Sequence, residues 1–317
     1  MKIGFIGLGN VGGKLAGSLL RNGFDLTVRD LNQEIARPFL DNGAKWAESP
    51  KQLAEAVDLI ITCLPNPAAS ATVIEADDGV LAGIYTGKIW AEMSTTDEEE
   101  VKRLGAKVKA LGGEALDCPV SGGCHRAATG NISIFVGGER SSFEKILPVM
   151  KVLGRRILHT GDLGSASVLK VMTNYLATAN LVTLCEALTT AKKAGMDLST
   201  TYEAIRISSG NSFVHETESQ VILNGSREIN FTMDLVLKDI SLFQAIAERA
   251  GVPLEVSPLL IDIFKDGEER YGSREWSSNI VRRLEDACDT QVIASGFPAE
   301  MVDDEPEVSG TEVVARV

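Results

Sequence analysis

At 317 residues with a hydrophobic fraction of 44%, the chain is long enough for two domains of ordinary size and has the composition of a globular protein. Its 31 basic and 44 acidic residues leave a net charge of −13, which argues against a nucleic-acid partner because no excess of basic residues is present to meet phosphates. No apolar stretch reaches membrane-spanning length, Cys63, Cys118, Cys124, Cys185 and Cys288 form no C-x-x-C pair, and His125, His159 and His215 show no metal-ligand spacing, so a membrane span, a disulfide scaffold and a metal centre are not expected.

The chain opens on Ile3, Phe5 and Ile6, a short apolar run suited to a buried parallel strand; with a core strand this early, no signal peptide is expected and a cytoplasmic protein with reduced thiols is. Gly7, Gly9 and Gly12 follow at the G-x-G-x-x-G spacing. In a dinucleotide site the first glycine permits a tight turn, the second lets a pyrophosphate approach the backbone, and the third lets the new helix pack on the strand. The spacing alone also suits an ordinary strand–turn–helix; the context separates the two. A helical pattern (Leu15, Leu19, Leu20) closes at Asn22-Gly23, and a second strand, Asp25 to Asp30, ends on an acid 18 residues after Gly12. A carboxylate there suits a ribose 2′-hydroxyl and repels a 2′-phosphate, so NAD is expected over NADP, with Arg29 the one neighbour that blurs the choice.

Strand and helix then alternate. A helix is expected over Asn32–Leu40, and a short one from Ser49-Pro50 to Val57. Strands are expected over Asp58–Pro65, Lys88–Met93, Glu114–Asp117, Ile132–Val136 and Arg156–His159. Ser94-Thr95-Thr96 is expected to cap a helix whose first turn is acidic, and another helix begins at Ser141. The alternation predicts a doubly wound parallel sheet over residues 1–163. After Gly164 the character changes: Ser165 to Ala194 holds no Pro or Gly and is apolar on most sides, as a long buried joining helix would be. Helices over Leu198–Ser208, Thr232–Ala250 and Ser257–Tyr271 complete an all-helical domain, 164–300, and the acidic residues 301–317 are expected to form a frayed tail.

Three further stretches carry chemistry. Asp117-Cys118-Pro119-Val120-Ser121-Gly122-Gly123 follows a strand; the Ser121 hydroxyl and the Gly122 and Gly123 amides could cradle a carboxylate, or the loop could be a plain turn. Lys170 and Asn174, four residues apart, share a face of the long helix. A buried lysine has the lowered pKa that a general acid or base needs, while a lysine reaching out to water would serve no such purpose. Lys238 interrupts an apolar stripe of Phe231, Leu235 and Leu242, and with Asp239 suits either a site or a structural ion pair. His125 and Arg126 could touch substrate or lie on the loop surface.

These segments together resemble the β-hydroxyacid dehydrogenase family, which includes 3-hydroxyisobutyrate dehydrogenase, tartronate semialdehyde reductase and, more distantly, 6-phosphogluconate dehydrogenase. The resemblance runs from Met1 to about Asp289 and rests on four motifs in order: Gly7-Leu8-Gly9-Asn10-Val11-Gly12, Asp117 to Gly123, Gly164 to Asn174 with its G-x-x-x-x-x-K-x-x-x-N pattern, and Lys238-Asp239. It implies a Rossmann-type domain followed by an all-α domain, and oxidation of a small 3-hydroxy acid to its semialdehyde, or the reverse reduction. By position it implies Lys170 as general acid/base with Asn174 holding substrate beside it, Ser121, Gly122 and Gly123 on the substrate carboxylate, and Lys238 between cofactor and substrate. Gly7 to Gly12, with Leu8, Asn10 and Val11, would hold the cofactor together with Asp30; Leu64 and Pro65 would lie on the adenosine side and Thr95 on the nicotinamide side. A homodimer or homotetramer is implied too. Three places depart from the family's usual residues: Ala69 where an asparagine is common, Cys124-His125-Arg126, and Glu92-Met93-Ser94-Thr95 in place of D-x-S-T. Tartronate semialdehyde reduction and serine dehydrogenation are alternatives. Lys170 argues against the related imine reductases and against a catalytically silent dinucleotide-binding module, both of which tend to lose this lysine.

Overall fold

A computed structural model describes residues 1–316. The chain divides into two compact units, one of residues 1–170 together with the segment from Asp303 onward, the other of residues 171–302.

The first unit is built on one sheet. In chain order its strands are β1 (Ile3–Ile6), β2 (Leu26–Arg29), β3 (Lys45–Trp46), β4 (Leu59–Thr62), β5 (Ile89–Glu92), β6 (Glu114–Asp117), β7 (Val120–Ser121), β8 (Ile132–Gly137), β9 (Gly154–Gly161) and β10 (Thr311–Val313). Their spatial order is β10-β9-β8-β6-β5-β4-β1-β2-β3, with β7 beside β8. Helices α1 (Asn10–Arg21), α2 (Arg37–Asp41), α3 (Pro50–Ala56), α4 (Pro67–Glu75), α5 (Glu98–Ala110), α6 (Gly123–Ala128) and α7 (Arg140–Leu153) connect them. The central strands β1, β4 and β5 are buried at every position because both faces of the sheet are covered. Ile3, Phe5, Leu59, Ile61, Ile89 and Ala91 enter one core cluster, while the intervening Ile6, Ile60 and Trp90 enter another.

From β3 through β6 the sheet is parallel. At β6–β8 the direction reverses, and β8, β9 and β10 run parallel to one another. The connection between β6 and β8 explains the reversal. It holds the two-residue β7, which pairs antiparallel with β8, and a six-residue helix, too little to cross over the sheet and return in parallel.

Two expectations need correction here. Asp97, rather than Ser94-Thr95-Thr96, caps α5: its carboxylate accepts from the amides of Glu99 (2.9 Å) and Glu100 (3.2 Å). The acidic terminus is also ordered, not frayed, as far as it is described. Asp303 accepts from the Thr129 hydroxyl and from Asn131 Nδ2 (2.7 Å), and Glu307 accepts from Asn22 Nδ2 (2.9 Å). The Gly310 amide bonds to the Lys151 carbonyl (2.7 Å), and β10 then pairs with β9. The acids of this segment find donors on the sheet unit, so they are anchored by partners remote in sequence.

The second unit is helical. It contains α8 (Ser165–Lys193) from Val171 onward, then α9 (Leu198–Arg206), α10 (Phe213–Asn224), α11 (Met233–Arg249), α12 (Val256–Tyr271) and α13 (Arg282–Cys288). Leu188, Ile222, Leu223, Met233, Ile240, Phe264 and Val281 are fully buried in its core, each contributing about 1.5–3 kcal/mol of burial for side chains of the Leu, Ile or Phe class. The long helix is continuous, as its lack of Pro and Gly predicts, but it is not buried all round: Met172 and Leu176 stand 42% and 59% exposed. Among the described residues no helix is long and apolar enough to cross a membrane.

Candidate active site

The glycines of the first loop are there for different reasons. Gly7 has φ +97°, and a Cβ on it would lie 2.3 Å from the Cys63 carbonyl oxygen; on Gly12 it would lie 2.1 Å from the Gly7 carbonyl oxygen. Both are therefore demanded by the packing of β1, β4 and α1 on one another. Gly9 is the opposite case: a Cβ there would meet no heavy atom within 4 Å. Packing does not explain this glycine, and the open space lies directly at the start of α1. No side chain caps that helix, whereas Ser49, Asn66 and Asp97 cap α3, α4 and α5. The uncapped N–H groups and the positive end of the helix dipole fit a pyrophosphate.

The neighbouring strand ends complete a rim. β1 lies between β2 and β4, so the connections diverge there to opposite sides, the place where α/β sheets bind ligands. Asp30, just past β2, accepts the Leu8 amide on one oxygen (2.7 Å) and the Asn32 amide on the other (3.0 Å), and thereby fixes the glycine loop. Arg29 stacks on Trp46, its guanidinium 5.1 Å from the ring centroid. Past β4, Leu64 is half-buried and Pro65 exposed; past β5, Thr95 is half-buried. These two loops are tied together below: Glu92, 1% exposed, accepts from the Ser94 amide (2.9 Å) and hydroxyl, and the Ser94 hydroxyl oxygen accepts the Leu64 amide (2.7 Å). Burial pushes the Glu92 carboxyl up from the usual range.

Past β6 comes the second glycine loop. Gly122 and Gly123 have φ +132° and +87°, open to glycine and strained for other residues, and Gly123 starts α6. The His125 ring lies against Gly123, 2.8 Å from where a Cβ would be, and burial pushes its imidazole pKa down. Arg126 turns to the C-terminal segment, 3.7 Å from Glu305. Cys124 is buried.

Lys170 is only 8% exposed and is the last residue of the first unit. The helix that carries it is anchored by Asp117: the amides of Gly164 (2.8 Å) and Ser167 (2.7 Å) and the Ser167 hydroxyl (2.9 Å) all donate to that carboxylate. In the second unit, Asn174 on α8 donates its side-chain amide to Asp239 on α11, and Lys238 Nζ lies 2.9 Å from the other Asp239 oxygen. Tyr175 and Phe243, stacked at 4.2 Å, hold the same two helices together. Asn174, Lys238 and Asp239 are thus one polar cluster.

Family models for the "NAD binding domain of 6-phosphogluconate dehydrogenase" and the "NAD-binding of NADP-dependent 3-hydroxyisobutyrate dehydrogenase" match residues 2–161 and 164–284. The chain is 34% identical over 283 residues to 2-(hydroxymethyl)glutarate dehydrogenase of Eubacterium barkeri, covering 89% of this chain and 94% of that protein. The chain belongs to the β-hydroxyacid dehydrogenase family. It is also 31% identical to 2-hydroxy-3-oxopropionate reductase of Escherichia coli K12 over 285 residues, 90% of this chain and 97% of that one. A crystal structure of 3-hydroxyisobutyrate dehydrogenase from Salmonella typhimurium superimposes with a TM-score of 0.82 at 27% identity, covering 89% of this chain and 99% of that one. As a β-hydroxyacid dehydrogenase, the chain is an NAD(P)-dependent oxidoreductase acting on the CH–OH group of hydroxy acids. In this dehydrogenase, three carboxylates that the sequence motifs include, Glu92, Asp117 and Asp239, prove to be buried anchors, a role the motifs did not give to Glu92 or Asp117. Each was visible as a charged residue at a strand end or on an apolar helix face, and that position was the available signal.

Proposed function

We propose that the chain oxidises a small 3-hydroxy acid to its semialdehyde, or runs the reverse reduction, with Lys170 as general acid/base and NAD preferred. The observation that carries this reading is Lys170 itself: an amine 8% exposed on a helix whose first turn is pinned to the substrate-loop strand. An amine held away from bulk water in this way is placed to exchange a proton with a substrate hydroxyl. The bound nicotinamide supplies the hydride acceptor for the carbinol carbon. The chain's own residues do the rest. Ser121 and the amides of Gly122 and Gly123 hold the carboxylate and so fix the hydroxyl; Lys170 accepts its proton as the carbonyl forms and returns it in the reduction. By the family resemblance, Asn174, held by Asp239, has the role of orienting the substrate, and Lys238 that of serving the cofactor. Gly7 to Gly12 receive the pyrophosphate, Leu64, Pro65 and Thr95 flank the dinucleotide, and Asp30 accepts the adenosine ribose hydroxyls.

The test is Lys170→Ala. Its kcat should fall by orders of magnitude while NADH still binds, and near-normal turnover would remove Lys170 from the mechanism. A kcat/KM higher with NADP+ than with NAD+ would overturn the role of Asp30. The substrate follows from a panel of 3-hydroxyisobutyrate, glycerate, serine and 2-(hydroxymethyl)glutarate, with tartronate semialdehyde run in reverse. The last acid is included because the relative of 34% identity is named for it.

A further inference from the structure

Asp117 is the last residue of β6 and is fully buried. Its backbone begins the loop that ends in Ser121-Gly122-Gly123, and its side chain reaches the first turn of α8, 47 to 50 residues later, through three hydrogen bonds of 2.7 to 2.9 Å. A buried carboxylate is costly unless paired, and here a helix N-terminus and a hydroxyl do the pairing. Neighbouring residues are adapted to this contact. A Cβ on Gly137 would sit 2.4 Å from Asp117 Oδ1 and 2.8 Å from Ser165 Oγ, so any other residue there would separate strand from helix. Gly164, the residue before α8, holds φ +93° to bring its amide onto the carboxylate. Lys170 follows Ser167 by three residues, less than one helical turn and a rise of about 4.5 Å. One residue of slip in that turn would rotate Lys170 by about 100°.

We propose that Asp117 is a positioning residue for proton transfer: it sets the height and rotation of Lys170 against the loop that holds the substrate carboxylate. This rests on the reading of Lys170 as acid/base. One residue therefore serves the two parts that must agree for a hydroxyl to meet an amine, the loop through its backbone and the helix through its carboxylate.

Asp117→Asn keeps the shape but places an NH2 group against donors. It should lower kcat roughly 10- to 100-fold, leave the NADH Kd within about twofold of wild type, and enlarge the solvent deuterium isotope effect on kcat as the proton step becomes limiting. Ser167→Ala, which removes one of the three donors, should act in the same direction by a few-fold and, combined with Asp117→Asn, by less than the product of the two. Should Asp117→Asn fail to fold, Ser167→Ala alone decides the matter through the same isotope effect. A lowered Tm with kcat and isotope effect unchanged would make Asp117 a helix cap and no more, overturning the proposal. An active Lys170→Ala would instead remove the reading beneath it, so the two failures are distinguishable.

Discussion

The second and third glycines of the first loop allow a sharp test, because the structure gives Gly9 and Gly12 opposite reasons to lack a side chain. An alanine methyl at Gly12 would lie 2.1 Å from the Gly7 carbonyl oxygen, where an ordinary contact needs about 3.5 Å, so β1 and α1 would have to part by roughly 1 Å. Overpacking of this kind costs about 1–3 kcal/mol, and at about 2–4 °C per kcal/mol in a chain of this size the Tm should fall by several degrees. At Gly9 the methyl meets nothing within 4 Å and φ is −64°, which alanine adopts. The weaker capping preference of alanine is offset by its stiffer unfolded chain, leaving stability within about 1 kcal/mol of wild type. The methyl does occupy the space before the uncapped α1 N-terminus, and NADH should bind at least about tenfold more weakly, about 1.4 kcal/mol. Thermal melts and a fluorescence titration with NADH measure both. Wild-type NADH affinity in Gly9→Ala would refute the loop as a phosphate cradle, and a wild-type Tm in Gly12→Ala would refute the packing argument.

Three other outcomes follow from buried or anchored groups. Asp239→Ala removes the carboxylate that the Asn174 amide and Lys238 share, and should cost about 1–3 kcal/mol in chemical denaturation together with a loss of kcat. Glu218 has a buried oxygen without a hydrogen-bond partner, and burial raises its pKa from 4.5 to about 7. The folded state then holds the proton longer than the unfolded one, so wild-type stability is favoured below pH 4.5 and lost as pH rises through 7. Glu218→Gln should thus gain on the order of 2 kcal/mol over wild type at pH 8 and nothing at pH 4; a gain equal at both pH values would refute the titration. Ending the chain at Val302 removes β10 and the Asp303 bonds to Thr129 and Asn131, and should lower Tm by several degrees, at about 2–4 °C per kcal/mol; an unchanged Tm would show the segment to be only loosely attached.

What the sequence made legible was local. The glycine loop, the six longer strands of the first 140 residues and the uninterrupted α8 are all written in adjacent residues, through apolar runs, turn glycines and the absence of breakers. The short strands β3 and β7, of two residues each, carry no period to detect. The segment from Asp303 to Glu307 reads as a solvated acidic run because its partners Thr129, Asn131, Arg126 and Asn22 lie more than 170 residues away. The site divided in the same way. Lys170, Asn174 and the glycines stood out by residue type, whereas the carboxylates that hold them depended on contacts between distant segments. Glu92 was noticed only as an unusual residue, and its grip on Ser94 and Leu64 required the fold.

The strand at the far edge of the sheet, Thr311–Val313, pairs with a segment made about 150 residues earlier. On the ribosome, where folding proceeds from the first residues made, the nucleotide-binding layer must therefore wait with one border unpaired while the whole helical half is synthesised. That border closes only once Thr311–Val313 has been made, and a chain stopped before it keeps the edge of β9 open.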